Sequence, residues 1–153
     1  MLGNTYDTQV CSIARALELV GERWTLLILR NALFAGSTRY RDFQGDLGIA
    51  TNVLQDRLDG LVDGGIMERR PSAAQAGVTE YLLTKKGRDF APALIALSQW
   101  GDKWAAPDGA PMIVTHRDCG HETTPTTVCS HCGEPLTWGH TRVASGPGRT
   151  SIA

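Results

Sequence analysis

"RYRDFQGDLGIATNVLQDRLDGLVDGG", residues 39–65, carries two apolar rhythms separated by a glycine-containing turn. In its first part Tyr40, Phe43 and Leu47 recur at helical steps and turn inward. In its second part Leu54, Leu58, Leu61 and Val62 fall on one side of a helix. Between them "GDLGIA" supplies the turn of two crossed helices, and Gly64 and Gly65 stop the second one. The pattern is that of a helix-turn-helix. Ser37 or Thr38 is placed to cap the first helix. Ala50 stands where the second would take a serine or threonine, so that cap moves to Thr51 or is left unmade.

Upstream, Val10, Ile13, Ala14, Leu17 and Val20 form the stripe of an amphipathic helix ended by Gly21. "RWTLLILRNAL", from Arg23, is apolar nearly all round, as a central buried helix is, and Gly36 caps its end. Downstream, "IMERRP" and "VTEYLLT" read as two short strands joined by "SAAQAG", which makes the module a winged helix. "KKGRDFAPALIALSQWGDKWAA" reads as one long closing helix, with Phe90, Leu94, Leu97, Gly101 and Trp104 on one seam and Pro92 in its first turns. So much apolar surface at a domain edge asks for a partner, and a second copy of the chain in a twofold dimer is the simplest. The expected fold class is mainly α with a small β wing (α+β). A winged helix-turn-helix with its dimerising terminal helix occupies 1–106, a small β-rich, zinc-ribbon-like tail 107–143, and a flexible C-terminus 144–153. "APDGAP", from Ala106, marks the linker.

Composition narrows the function. The chain has 153 residues, 42% hydrophobic and 20% charged, enough for one core-bearing domain and an appendage. Its longest apolar run, "TLLIL" at 25–29, is far short of the roughly 20 residues that span a bilayer. There is no basic-then-apolar export signal at the N-terminus, so a cytoplasmic protein without a membrane partner is expected. A net charge of −1 argues against indiscriminate coating of nucleic acid. An enzyme finds little support, because no histidine precedes His116 and neither a phosphate-binding glycine loop nor a Ser/His/Asp constellation is present.

If the helix from Thr51 to Asp63 lies in a major groove, its inward stripe leaves Thr51, Asn52, Gln55 and Asp56 to reach base edges, Asn and Gln being suited to adenine. Arg39 and Arg41 on the preceding helix, Arg57 on the flank, and Arg69 and Arg70 on the first wing strand could contact phosphates. The wing tip has no lysine or arginine, which disfavours its insertion into a minor groove. From Arg23 to Arg70 seven arginines face six acids, so moderate, salt-dependent affinity is expected.

Taken in order, a cysteine ahead of the first helix, "GERWTLLILRNAL", "RYRDF", "GIATNVLQDRLDGLVDGGIMERR", "EYLLTKKG" and a tryptophan-bearing terminal helix resemble the HxlR-type winged-helix transcription regulators, relatives of the MarR regulators. The resemblance covers roughly Cys11 to Trp104. It implies a homodimer that binds a double-stranded operator and represses nearby genes as a one-component switch. A small-molecule effector or an electrophile would throw that switch. Several relatives sense oxidants or electrophiles with a cysteine at this place, so Cys11 resembles a sensing thiol. The helix N-terminus beside it favours the thiolate. The bland alternative is a small buried hydrophobe.

The other three cysteines lie in "HRDCGHETTPTTVCSHCGEPL", residues 116–136. His116 with Cys119 and Cys129 with Cys132 are two ligand pairs, and the residues between allow a hairpin to bring them around one tetrahedral ion. A glycine follows each second ligand and lets backbone amides turn toward the sulfurs. Structural zinc held by His116, Cys119, Cys129 and Cys132 is the preferred reading, with His121 the rival fourth ligand. The alternatives are a metal-free β-tail and a disulfide between Cys129 and Cys132. A second function remains open beside the regulator: a zinc-dependent protein-interaction module that uses the winged helix as scaffold. Against it, Thr51, Asn52 and Gln55 are polar where a docking surface would carry aromatics.

Overall fold

The computed structural model describes residues 5–148. The chain divides into two compact units, one ending at Ala91 and the other starting at Pro92. The first unit holds helix α1 (Ser12–Val20), α2 (Arg23–Arg30), a π-helical turn (Asn31–Ala35), α3 (Tyr40–Leu47), α4 (Thr51–Asp63), strands β1 (Met67–Pro71) and β2 (Thr79–Leu83), and the short α5 (Lys85–Arg88). Helix α6 (Ala91–Ala105) begins at the boundary and runs into the second unit with the tail. The first unit is a winged helix-turn-helix, α+β in class. Of the expected flexible C-terminus, 144–148 form neither helix nor strand, and 149–153 lie outside the described residues.

The core of the first unit is built by three helices and the first strand. Phe43, Ile28, Leu29, Leu54, Leu58, Leu61 and Met67 are fully buried, which places one side chain of α3 among pairs and triplets from α2 and α4. The 54–58–61 spacing read from the sequence is the buried stripe of α4. Helix α2 buries Thr25, Ile28 and Leu29, and its N-cap is Glu22, whose carboxylate accepts from the Trp24 amide at 2.8 Å and the Thr25 amide at 3.4 Å. In α1 only Ala14 and Val20 of the expected stripe are buried, while Ile13 is 70% and Leu17 46% exposed.

The wing is an antiparallel pair with Met67 opposite Leu83 and Arg69 opposite Tyr81. It is tied back to the start of α3 by a single bridge between Arg39 and Glu80 and by the Tyr81 amide donating to the Thr38 carbonyl at 2.7 Å. That pairing explains why neither Ser37 nor Thr38 caps α3. Ser37 is buried and spends its hydroxyl on Asp46, the Thr38 carbonyl serves the wing, and Arg39 takes the N-cap position, its amide donating to Asp42 at 3.2 Å.

Two expected elements come out differently. The closing helix is broken between α5 and α6, where Pro92, in the first turn of α6, has no amide to donate back into the preceding turn. The β structure expected of the tail at 107–143 reduces to single bridges, Thr115 with Glu122 and Val128 with Pro135. A proline inside the pairing segment cannot donate to a ladder.

Between the wing and α5 the backbone closes tightly. Thr84 caps α5, its hydroxyl oxygen accepting from the Gly87 amide at 3.2 Å. A Cβ at buried Gly87 would meet the Ile66 carbonyl oxygen at 2.3 Å and a Leu83 methyl at 2.9 Å. Gly87→Ala is therefore expected to cost about 1–3 kcal/mol by overpacking against backbone. Urea unfolding followed by far-ultraviolet circular dichroism measures it, and an unchanged midpoint would show that this approach is not structural.

Candidate nucleic-acid interface

Helix α4 is anchored along one side and open along the other. Its first turn emerges from a glycine turn in which Gly48 adopts φ 59°, a left-handed conformation that glycine takes without strain. Ala50, at φ −61° and ψ 141°, is the N-cap and contributes no side-chain hydrogen bond. The cap is thus unmade, and the amides of the first turn are left for solvent or a bound anion. The Tyr40 hydroxyl donates to the Thr51 carbonyl at 2.8 Å, fixing the beginning of α4 to the beginning of α3.

Of the residues expected to reach base edges, Thr51, Asn52 and Asp56 are exposed and Gln55 is half-buried. Gln55 is also engaged, its side-chain amide donating to Asp59 at 2.6 Å. Each expected phosphate-contacting arginine has an acidic neighbour. Arg39 lies 3.6 Å from Glu80, Arg41 3.7 Å from Asp42, Arg57 3.4 Å from Glu22 and Arg70 2.6 Å from Glu68. Arg69 pairs with Asp59 and stacks on the Tyr81 ring, 5.8 Å from its centroid. Arg39 also reaches the wing tip, donating to the Gln75 side chain at 3.4 Å. The structure gathers Arg39, Arg69 and Arg70 at the wing, as β1 and the bridge to β2 dictate, while Arg57 lies half-buried toward the N-cap of α2.

Sequence reasoning missed several residues that shape this face. Tyr40 looked like a core residue, and only its hydroxyl contact shows a positioning role. Glu22 was not singled out, although it both caps α2 and faces Arg57 of α4. A part-buried polar cluster joins the π-helical turn to α3: the side-chain amide of buried Asn31 donates to Asp46 at 3.2 Å, buried Ser37 donates to the same carboxylate oxygen at 3.2 Å, and Arg30 donates to Asn31 at 2.8 and 3.0 Å. An asparagine amid apolar residues in "RNALF" was the available signal.

Cys11 is exposed at the N-cap of α1, with extended backbone. The amides of Ala14 and Ile13 face its sulfur from beyond a formal cap hydrogen bond and hold the thiol below its ordinary range, with a lesser contribution from Arg15. In the tail, His116 Nδ1 lies 3.3 Å from Cys119 Sγ. The amides of Cys132 and His131, with the Cys132 thiol, lower the Cys129 thiol. The four expected ligands thus stand as two pairs, and among the described residues no three His, Cys, Asp or Glu side chains are grouped closely enough to hold an ion. His121 turns its Nδ1 to the Cys119 carbonyl at 2.8 Å. A cleft of about 670 Å³ within the second unit, lined by Ile95, Gln99, Met112, Val114, Thr123 and Pro125, is large enough for a small molecule. Among the described residues no helix is long and apolar enough to cross a membrane.

Comparison with known proteins places this geometry. The family described as HxlR-like helix-turn-helix matches residues 19–109. The uncharacterised HTH-type transcriptional regulator Rv3095 of Mycobacterium tuberculosis (strain ATCC 25618 / H37Rv) is 44% identical over 138 residues, 90% of this chain and 87% of that protein. The crystal structure of PA1607 superposes with a TM-score of 0.80 at 39% identity, covering 89% of this chain and 95% of that one. The redox regulator HypR in its oxidised form superposes with a TM-score of 0.54 at 25% identity, over 61% of this chain and 96% of that one.

Two outcomes test the local chemistry. Ala50→Ser, which supplies the missing cap oxygen at a residue already extended, is expected to stabilise the fold by about 1 kcal/mol in denaturant titration. For Cys11, a thiol pKa below the ordinary value puts more thiolate at any given pH. Its alkylation by iodoacetamide, followed by peptide mass spectrometry, is expected to reach half its plateau rate below the usual thiol midpoint of about 8.5. A midpoint at or above that value contradicts the activation.

Proposed function

The chain belongs to the HxlR-like helix-turn-helix family of transcriptional regulators, and from that membership we propose that it binds an operator in double-stranded DNA as a homodimer and represses transcription by occupying it. The observation that carries this reading is the open first turn of α4. Thr51, Asn52 and Asp56 project from a helix end whose amides are uncapped, beside a wing carrying Arg39, Arg69 and Arg70. Asn52 is suited to adenine in the major groove, and the uncapped amides to a phosphate.

Support for a homodimer comes from apolar side chains without cover. On α6, Leu97, Trp100 and Trp104 are 50%, 63% and 67% exposed, and α1 leaves Ile13 and Leu17 open. Exposed tryptophans on this scale mark an interface, and a second copy covers them at no cost in new sequence. HypR is named a redox regulator, and the lowered pKa of the Cys11 thiol supports a thiol switch in this chain. Oxidation or alkylation of an exposed sulfur on α1 would act on one of the two open helices proposed to form the dimer. A small-molecule effector in the α6–tail cleft is the other means of switching.

The arginine pairs set the strength of binding. An arginine held by Glu80, Glu68 or Asp59 must exchange that partner for a phosphate, so its gain on binding is the difference between two ion pairs. Specificity then rests on α4 more than on bulk charge.

A fluorescence anisotropy titration against the chain's own upstream DNA, at two salt concentrations, tests the whole reading. Specific binding with a dissociation constant on the order of 10⁻⁸ M or tighter is expected, weakening as salt rises. Asn52→Ala is expected to cost roughly 1–3 kcal/mol on the operator and little on random DNA. Glu68→Gln, which frees Arg70, is expected to tighten both. Treatment with an electrophile is expected to release the wild type and not Cys11→Ser. Equal affinity for operator and random DNA at all salts would hand the molecule to the protein-interaction reading instead.

A further inference from the structure

The tail contains the same turn twice. In the first, the His116 amide donates to the His121 carbonyl at 2.9 Å and the Gly120 amide to the His116 carbonyl at 2.8 Å. The Thr123 amide closes the hairpin on the Val114 carbonyl at 2.8 Å. In the second, the Cys129 amide donates to Glu134 at 2.8 Å, the Gly133 amide to Cys129 at 2.8 Å, and the Leu136 amide to Thr127 at 2.9 Å. The bridges correspond as well, Thr115 with Glu122 and Val128 with Pro135, and so do the glycines, Gly120 at φ 71° and Gly133 at φ 78°. Residue for residue, His116 matches Cys129 and Cys119 matches Cys132.

This repeat arranges four metal-ligating side chains two by two at equivalent places in equivalent knuckles. It also separates the two candidate histidines. His116 occupies the first-ligand position, matching Cys129, whereas His121 matches Glu134 and turns its ring to a backbone carbonyl. His116 already faces Cys119 through Nδ1, and its Nε2 lies 3.8 Å from the Asp118 carboxylate, which can orient the ring.

A second observation points the same way. Beyond Leu94 no described residue of the second unit is buried, and Ile113, Val128, Leu136 and Trp138 are 63%, 47%, 45% and 98% exposed. Two ordered hairpins without a core lack the burial that holds small folds together, and such units take a metal or disulfide staple.

We propose that residues 107–143 form a structural zinc site in which His116 and Cys119 of one knuckle and Cys129 and Cys132 of the other share one tetrahedral ion. Binding takes the three thiols as thiolates, releasing their protons to solvent, and the imidazole neutral, so the centre carries one net negative charge. With four protein ligands no position is left for water, and the ion is structural. The ion draws together two pairs that among the described residues do not yet form one group.

The test uses the untagged full-length protein, purified without chelator, with metal measured by plasma mass spectrometry. About one zinc per chain is expected. Cys132→Ser and His116→Ala are expected to lose at least roughly 80% of it, and His121→Ala to keep it. Far-ultraviolet circular dichroism of the variants checks that the winged helix stays folded. Cobalt added to the apo wild type is expected to give thiolate-to-metal charge-transfer absorption and the intense visible bands of a tetrahedral centre. Wild-type protein with far less than one zinc, a Cys129–Cys132 disulfide in its place, octahedral cobalt spectra, or loss of zinc from His121→Ala with retention in His116→Ala would each overturn the assignment.

Discussion

Everything on the candidate DNA-facing surface depends on how the buried stripe of α4 interlocks with α2 and α3. Leu54, Leu58 and Leu61 meet a core containing Ile28, Leu29 and Phe43, all at or near complete burial. Each such side chain is worth about 2 kcal/mol of burial, against a net stability for a domain of only about 5–15 kcal/mol. The helix is therefore fixed from its own second turn onward, and its first turn inherits that position. Tyr40 adds a hydrogen bond where the hydrophobic contacts give out. Specific recognition needs this division, because a base-reading side chain must be held in place by something that does not itself face the ligand.

The surface charge follows a related economy. Glu22, Asp42, Asp59, Glu68 and Glu80 each stand beside an arginine of the recognition module. Exposed pairs of this kind add little to stability. In the proposed DNA-binding reading their effect lies in what they withhold: free arginines would bind any duplex, and paired ones favour sites where the geometry of α4 is satisfied. The near-neutral balance of the segment, visible as a count in the sequence, becomes in the structure a set of particular partners.

Much of the fold was legible because it rests on periodicity. The stripe 54–58–61, the glycine turn and the two strand runs sit where local rules put them, and of the two outcomes that Ala50 left open the structure shows the unmade cap. What escaped was set by contacts between distant segments. Ser37 is a good capping residue by type, yet tertiary structure spends its hydroxyl on Asp46. Gly87 as a point of close approach and Asn31 in a part-buried network each depend on a neighbour far along the chain, whereas the Glu22 cap is local, accepting from Trp24 and Thr25, and its residue type alone did not single it out. Half of the apolar stripe of α1 faces outward, which periodicity alone cannot distinguish from burial. At the candidate site, residue types on α4 were readable and partners were not. Nothing in the spacing of Arg39 and Glu80 announces that a wing strand will pair with the start of α3.

The cysteines show how one residue type is divided by its backbone. Cys11 stands exposed at a helix start, where the amides ahead of it hold its thiol below the ordinary range. Cys129 also receives amides, but those amides belong to a knuckle that carries Cys132 beside it, and a matching knuckle carries Cys119 beside His116. The same favourable dipoles therefore serve opposite ends. Around a single sulfur they promote reaction with an electrophile, and around paired ligands they promote coordination, which removes the thiolate from reaction. In the proposed reading, in which the chain signals through Cys11, the proposed tetrahedral site keeps the other three thiols out of that chemistry and supplies the core that the tail lacks.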